Sequence, residues 1–439
     1  MGSNPERTLS PARRALRTTL FAAALAGAGA YGFFLHRDQV FPYRIARSVY
    51  RAVASRGEVR RFHAARLSAT DAPVSPESLK QIESLPYLQG YRPATAKGVA
   101  VYDRSRALEG LNFFTSGHAP VATLMDMEGA VLKTWTADPN KVFPGLVLSG
   151  HDRGCDRFFR SARLLPDGGV VALFEQIGLV RLDAASHPVW AFRARTHHDV
   201  FPDRSGGFWV LTREMRTVAE VRPDDPVWED FVAQLTPEGR LVRRVSILEA
   251  FRRSAYAPML TRLPPGPDVF HTNSLVVLDG SLAGRSPHFR EGNILLTIRH
   301  LDAVAVLDPQ EERIVWALSG QWRLPHGARL LGNGHLLLFD NLGSMRASSR
   351  VLELDPLTQE VLWRFGGVSG EDLFSESSSF VQRLSNGDTL IGESNFGRAV
   401  EVTPDHRVVW EFVNPNRAGP KGDLVATLYT LDRVPRNRN

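Results

Sequence analysis

Thirteen histidines are spread through the 439 residues, and three of them recur at one point of a repeating pattern. His198 lies just before a turn in RTHHDVFPDRSGG, and His326 lies at the matching point in RLPHGARLLGNG. His271 precedes an apolar run in VFHTNSLVVLDG, with Asn273 two residues on, a spacing that puts both on one face of an extended strand. An imidazole titrates near neutrality, so it can serve as a nucleophile, an acid–base group or a metal ligand. Three imidazoles can ligate a divalent metal. Ionisable groups that share one channel are costly unless paired, hydrated or used. His36 and His63 fall in the N-terminal region and His187, His335 and His406 fall in turns, where no special explanation is needed.

The elements that would position these residues follow from a repeat that begins near Gly98. Its first half is a short strand ending in an acidic or turn residue, then a second strand carrying tryptophan: Trp135 in LMDMEGAVLKTW, Trp190 in VRLDAASHPVW, Trp316 in AVLDPQEERIVW, Trp363 in LELDPLTQEVLW and Trp410 in VEVTPDHRVVW. The second half is a turn followed by an apolar strand, as in PDGGVVALFE, RSGGFWVLTRE, EGNILLTIR, GNGHLLLFDN and SNGDTLIGES. Leu235 to Gly239 continue the series without a tryptophan, giving six units between Val121 and Val413. Each pair of halves supplies four short antiparallel strands, and such sheets bury their faces only against neighbours around an axis. The pattern predicts an all-β six-bladed β-propeller over residues 98–433, with the tryptophans as packing between blades. The strands near GVAVYDRS and LVATLYTLDRV are expected to share one blade and close the ring. In this fold the innermost strands face a central channel, where His198, His271 and His326 would converge.

Composition narrows the function classes. Hydrophobic residues make up 43% and charged residues 23%, a globular balance with ample core material. The net charge of +6 is inflated by a basic N-terminal arm and the tail at 434–439, and no basic run is interleaved with stacking aromatics, which argues against nucleic acid. An anionic small substrate suits the sign of the charge. The single cysteine, Cys155, excludes an internal disulfide and a cysteine-rich metal or iron–sulfur site, and HDRGCDRF carries no nucleophile signature. Nothing in the sequence calls for an organic cofactor.

The run GVAVYDRSRALEGLNFFTS followed by LMDMEGAVLKTW, and then HTNSLVVLDG, NILLTIRHLDAVAVLDP, IVWALSG and LPHGARLLGNGHLLLFDN in that order, resembles the aryl-sulfate sulfotransferases that work without a nucleotide sulfate donor. The resemblance spans roughly residues 98–415. It implies transfer of a sulfuryl group from an aryl sulfate donor to a phenolic acceptor, with His326 as the transiently sulfated nucleophile. It further implies that His271, Asn273 and Arg299 hold the sulfuryl oxygens and that His198 is the remaining channel histidine, with His197 as an alternative alignment. The chemistry suits the residue types: a neutral imidazole has a lone pair for sulfur, and an arginine stays cationic and can fork onto two oxygens. The segment GSLAGRSPHFREG between Asn273 and Arg299 is an added length, expected to form a loop.

Two other readings stand beside this one. A non-catalytic ligand-binding propeller would have an incomplete set of polar channel residues. A metal-dependent enzyme would use His198, His271 and His326 as ligands, against which the fixed charge of Arg299 speaks. Residues 18–35, TTLFAAALAGAGAYGFFL, carry no charge and follow the basic residues 1–17, so they read as a transmembrane anchor or a signal sequence. Residues 36–97 read as a partly helical stalk. The charges on the two sides of this segment do not choose an orientation, and the family resemblance implies a propeller outside the cytoplasm.

Overall fold

Alternation of small or β-branched apolar residues with turn signals builds six antiparallel blade sheets, five of four strands and one of five, seen in a computed structural model that describes residues 90, 97–148, 152, 154–221, 226–264, 266–343, 348–419 and 422–436. All of these belong to the unit Glu77–Asn439. The anchor and most of the stalk expected at 18–35 and 36–97 lie outside the described residues. Among the described residues no helix is long and apolar enough to cross a membrane.

In chain order, the innermost strands of blades 2 to 6 are Ser161–Leu164, Thr196–Pro202, Thr272–Val277, His326–Leu330 and Phe380–Arg383. Blade 1 takes its innermost strand from the C-terminus: Leu428–Val434 pairs with Leu111–Ser116, and Val121–Met125 and Val131–Thr136 complete the sheet. The ring is therefore closed by LYTLDRV against LNFFTS. The expected partner GVAVY is elsewhere, because Gly98–Tyr102 pairs with Val408–Val413 as a fifth, outer strand on blade 6. Its burial pattern explains this correction: Val99 and Val101 are half-buried to exposed, which suits an edge, whereas LNFFTS is buried almost throughout.

The hairpins from innermost to second strand share one construction. Gly168, Gly206, Gly334 and Gly387 all sit at φ between 77° and 92°, a region glycine enters without a Cβ clash. Where the turn begins with aspartate its carboxylate accepts backbone N–H groups, as Asp203 does from Ser205 and Gly207.

The tryptophans join neighbouring blades. Four of the five indole N–H groups donate to a backbone carbonyl in a turn of the next blade: Trp135 to Gly168, Trp190 to Pro237, Trp363 to Pro404 and Trp410 to Met127, the last bond crossing the closure between blades 6 and 1. Blade 3 lacks the tryptophan, and Arg243 takes its place. Arg243 is opposite Gln234 just as Trp190 is opposite Arg181 and Trp410 opposite Glu401, and its guanidinium donates to the Pro309 carbonyl of blade 4. A pocket of about 580 Å³ lies on this seam, lined in part by Trp209, Phe201 and Arg243. The added segment 280–292 is folded rather than open: Leu282 and Phe289 are buried, and Phe289 packs 5.1 Å from Trp316.

Candidate active site

The six innermost strands begin at one end of the channel, and the residues at those beginnings form a ring. In blade order from 2 they are Arg160, the pair His197–His198, His271, His326, Ser378–Ser379 and, from the C-terminal strand of blade 1, Thr427. Several adopt left-handed backbone conformations: His198 at φ 57°, His271 at φ 50° and Ser378 at φ 59°. A non-glycine residue in this region costs about 1–3 kcal/mol, and such strain clusters where side chains must be aimed. For His271 this breaks the expected alternation. The strand begins at Thr272 with an irregular register before Ser274, so His271 and Asn273 are not carried on one strand face but are turned inward separately.

His326 is buried, and its tautomer is fixed by its neighbours. Nδ1 faces two acceptors, the Asn341 Oδ1 at 2.7 Å and the Leu324 carbonyl at 3.1 Å, so it carries the proton. Nε2 accepts the backbone N–H of Ser378 at 3.2 Å, so it carries the lone pair. Asn341 is itself oriented by donating from Nδ2 to the Ser375 carbonyl at 2.6 Å. Burial first, then the charges of Arg299 and His271, hold the His326 imidazole well below its ordinary pKa, so the ring is neutral at pH 7.

Arg299 opens a short 3₁₀ turn, Arg299–Leu301, after the second strand of blade 4. It donates to Nε2 of His300 at 2.7 Å, and His300 donates from Nδ1 to the Asp268 carbonyl at 2.7 Å. The Arg299 Nε is buried and has no hydrogen-bond partner. A guanidinium with a buried, open N–H donor is a natural seat for an anionic oxygen. Asp268 also accepts from His271 Nδ1, which sends the rest of that ring toward His198 and His300, at centroid distances of 4.8 and 5.0 Å. Burial would raise the Asp268 carboxyl, but the charge and hydrogen bond of His271 outweigh it and hold the carboxyl far below its usual range. Asn273 donates from Nδ2 to the carbonyl of Pro325, immediately before His326, and its Oδ1 is buried without a partner. Its position thus ties blade 4 to the His326 turn.

Of the two adjacent histidines, His198 is the one against His271, with Arg160 and His271 depressing its pKa after burial. His197 is turned back into blade 3, where Nε2 lies 3.6 Å from Asp230. The five residues singled out in the sequence are therefore brought to one end of the channel, and His197 sits behind them.

The metal reading meets a geometric obstacle. Among the described residues the one group with donor atoms close enough to hold an ion is Asp268, His271 and His300, within 4.8 Å of one another, not His198, His271 and His326. Both nitrogens of His300 are already engaged, one by a carbonyl and one by Arg299, and the guanidinium would repel a dication.

A profile of the arylsulfotransferase (ASST) family matches residues 161–415, more than half of the sequence and all of the ring described above except Arg160 and Thr427. This chain belongs to the arylsulfotransferase family. No functionally curated protein matches it. Similar solved structures include a protein of unknown function from Bacteroides caccae (12% identity over 74% of this chain and 98% of that one, TM-score 0.44) and a streptogramin B lyase (11%, 79% and 95%, 0.43). The WD40 β-propeller domain of Doa1 is a third (11%, 71% and 77%, 0.40). None of these bears on the chemistry.

Sequence reasoning did not single out Arg160, Asp268, His300, Asn341 or Ser378. Asn341 stood in view as the end of LLLFDN and His300 beside Arg299. Arg160, Asp268 and Ser378 carry no local signal, because only ring closure brings blades 2, 4 and 6 together.

Proposed function

We propose that this arylsulfotransferase moves a sulfuryl group from an aryl sulfate to a phenol by way of N-sulfo-His326. The observation that carries the reading is the state of His326: a buried, neutral imidazole whose proton is pinned at Nδ1, so that the lone pair is at Nε2, where it accepts the Ser378 N–H that a bound sulfuryl group would displace. In the first half-reaction this lone pair forms the N–S bond while the S–O bond to the aryl group breaks, and the electron pair leaves on the aryl oxygen. In the second, a phenolic oxygen takes the sulfur, the phenolic proton passes to solvent, and the N–S electrons return to Nε2. Arg299, His271 and Asn273 hold the sulfuryl oxygens, Arg299 through its open Nε and Asn273 through the remaining hydrogen of its amide. By analogy with phosphoryl transfer the transition state is loose, so charge stabilisation and positioning dominate.

Steady-state kinetics with a chromogenic aryl sulfate and a phenol test this reading. Parallel double-reciprocal lines are expected, as a covalent intermediate requires. His326→Ala should abolish phenol release, and Arg299→Ala should slow it by about two to three powers of ten, the usual loss for one oxyanion donor. Near-normal turnover in His326→Ala would contradict the assignment.

A further inference from the structure

Blade 2 contributes the one residue of the ring that is permanently charged, Arg160. It is 5% exposed, and it is anchored on three sides. NH2 donates to the Ser378 hydroxyl at 3.1 Å, the guanidinium lies over the Tyr429 ring at 4.6 Å, and Nε faces the Glu175 carboxylate at 3.8 Å, beyond hydrogen-bond reach. Nε is consequently buried and without a hydrogen-bond partner. Glu175 also accepts from the His198 backbone N–H and from Gln176, and it faces Arg160 as a counter-ion on the Nε side only.

Ser378 links this cation to the reacting atom. The same residue that accepts from Arg160 through its hydroxyl donates its backbone N–H to His326 Nε2 at 3.2 Å. Arg160 thus approaches His326 through blade 6, whereas Arg299 stands in blade 4 with His271 and Asn273. Two guanidiniums therefore reach the His326 site from different blades, Arg160 by way of Ser378 and Arg299 beside His300. One suffices for the sulfuryl oxygens, whose other partners are in blade 4. The second faces Glu175 through Nε and has its terminal nitrogens left to meet a further charge. In an in-line displacement the electron pair that departs with the aryl oxygen appears on the far side of sulfur from Nε2, and that oxygen needs a fixed positive charge in a site where water is scarce.

We infer that Arg160, held by Ser378 and Tyr429, stabilises the aryl oxide that leaves the donor and, in reverse, the phenolic oxygen that attacks N-sulfo-His326. The inference rests on the transfer reaction proposed above. The bond changes are those already given: S–O breaks, the pair stays on oxygen, and the Arg160 guanidinium offers its N–H to that oxygen.

The test is the dependence of rate on the leaving phenol, with Arg160→Met and Arg160→Lys compared with the wild type on phenyl sulfate and on a nitro-substituted phenyl sulfate. A simple phenol ionises near the tyrosine value of about 10, so its oxide needs stabilising, whereas the nitro-substituted oxide is stable by itself. Arg160→Met should lose about two powers of ten or more on phenyl sulfate and about tenfold or less on the nitro donor, with Arg160→Lys between it and the wild type. Activity on the nitro donor also reports that the variant is folded. An equal loss on both donors, or no loss on either, would overturn the role of Arg160. If the wild type releases no phenol from either donor, it is the proposed transfer reaction that fails.

Discussion

At the scale of single residues, the site works by removing choices. His326 could exist as either tautomer in water, yet the Leu324 carbonyl and Asn341 leave it one, with the lone pair at Nε2. Replacing Asn341 with alanine removes one of two acceptors and leaves Leu324 to hold the proton, so a partial loss is expected. One neutral hydrogen bond contributes about 1 kcal/mol, which corresponds to roughly five- to tenfold in rate, measured as kcat/KM. A loss as large as that of His326→Ala would mean that Asn341 does more than orient the ring. Cys155 stands outside this chemistry. It is buried among Phe159 and Phe174, and burial raises its thiol well above the ordinary range. Turnover should be unchanged by reductant, and thiol-directed reagents should leave the folded protein active.

At the scale of elements, the repeating tryptophans are joints between blades as well as core. Trp410→Phe keeps the ring but removes the N–H that reaches Met127 across the closure, a bond buried from solvent, whereas the matching bond of Trp363 to Pro404 is exposed. A buried carbonyl left without a donor costs about 1–3 kcal/mol, so Trp410→Phe should lower the midpoint of urea unfolding clearly more than Trp363→Phe. These joints are also where the sequence was most legible. The periodic tryptophans and turn glycines show six blades, and the histidine positions show one end of one channel, because both depend on spacing within a blade. What depends on contacts between distant blades was not legible. Which strand closes the ring turned on the burial of LNFFTS against the exposure of GVAVY, and Arg243 in the tryptophan register of blade 3 has no signature until its bond to Pro309 is seen. The inward turn of His271 required a left-handed residue that alternation alone does not predict.

At the scale of the whole molecule, the buried histidines make stability depend on pH. Burial is the first cause that lowers His197, His198 and His326 well below the ordinary value and His300 to about 3, so the folded state holds them neutral while the unfolded chain protonates them near pH 6.5. Stability from these four is full above about pH 6.5 and falls as the pH drops below it. Asp230, raised to about 7 by burial and then by Asp268, Asp340, raised to about 6 by burial, and Glu401, also raised by burial, act in the opposite sense from about pH 4 upward, but these three carboxyls do not offset four imidazoles. Thermal unfolding should therefore shift to lower temperature from pH 7 to pH 5, and a flat profile would contradict this balance. The uncharged run at 18–35 leads us to propose a membrane anchor with the propeller outside the cytoplasm; recovery of the full chain with membranes would support it, and a mature chain starting near Tyr31 would show cleavage instead. Transfer by way of His326 requires a covalent intermediate. Incubating the protein with an aryl sulfate in the absence of any acceptor, then weighing its peptides, should show one sulfuryl group on the peptide containing His326, absent in His326→Ala and discharged when a phenol is added. A label on a different residue, or phenol release with no label at all, would contradict it.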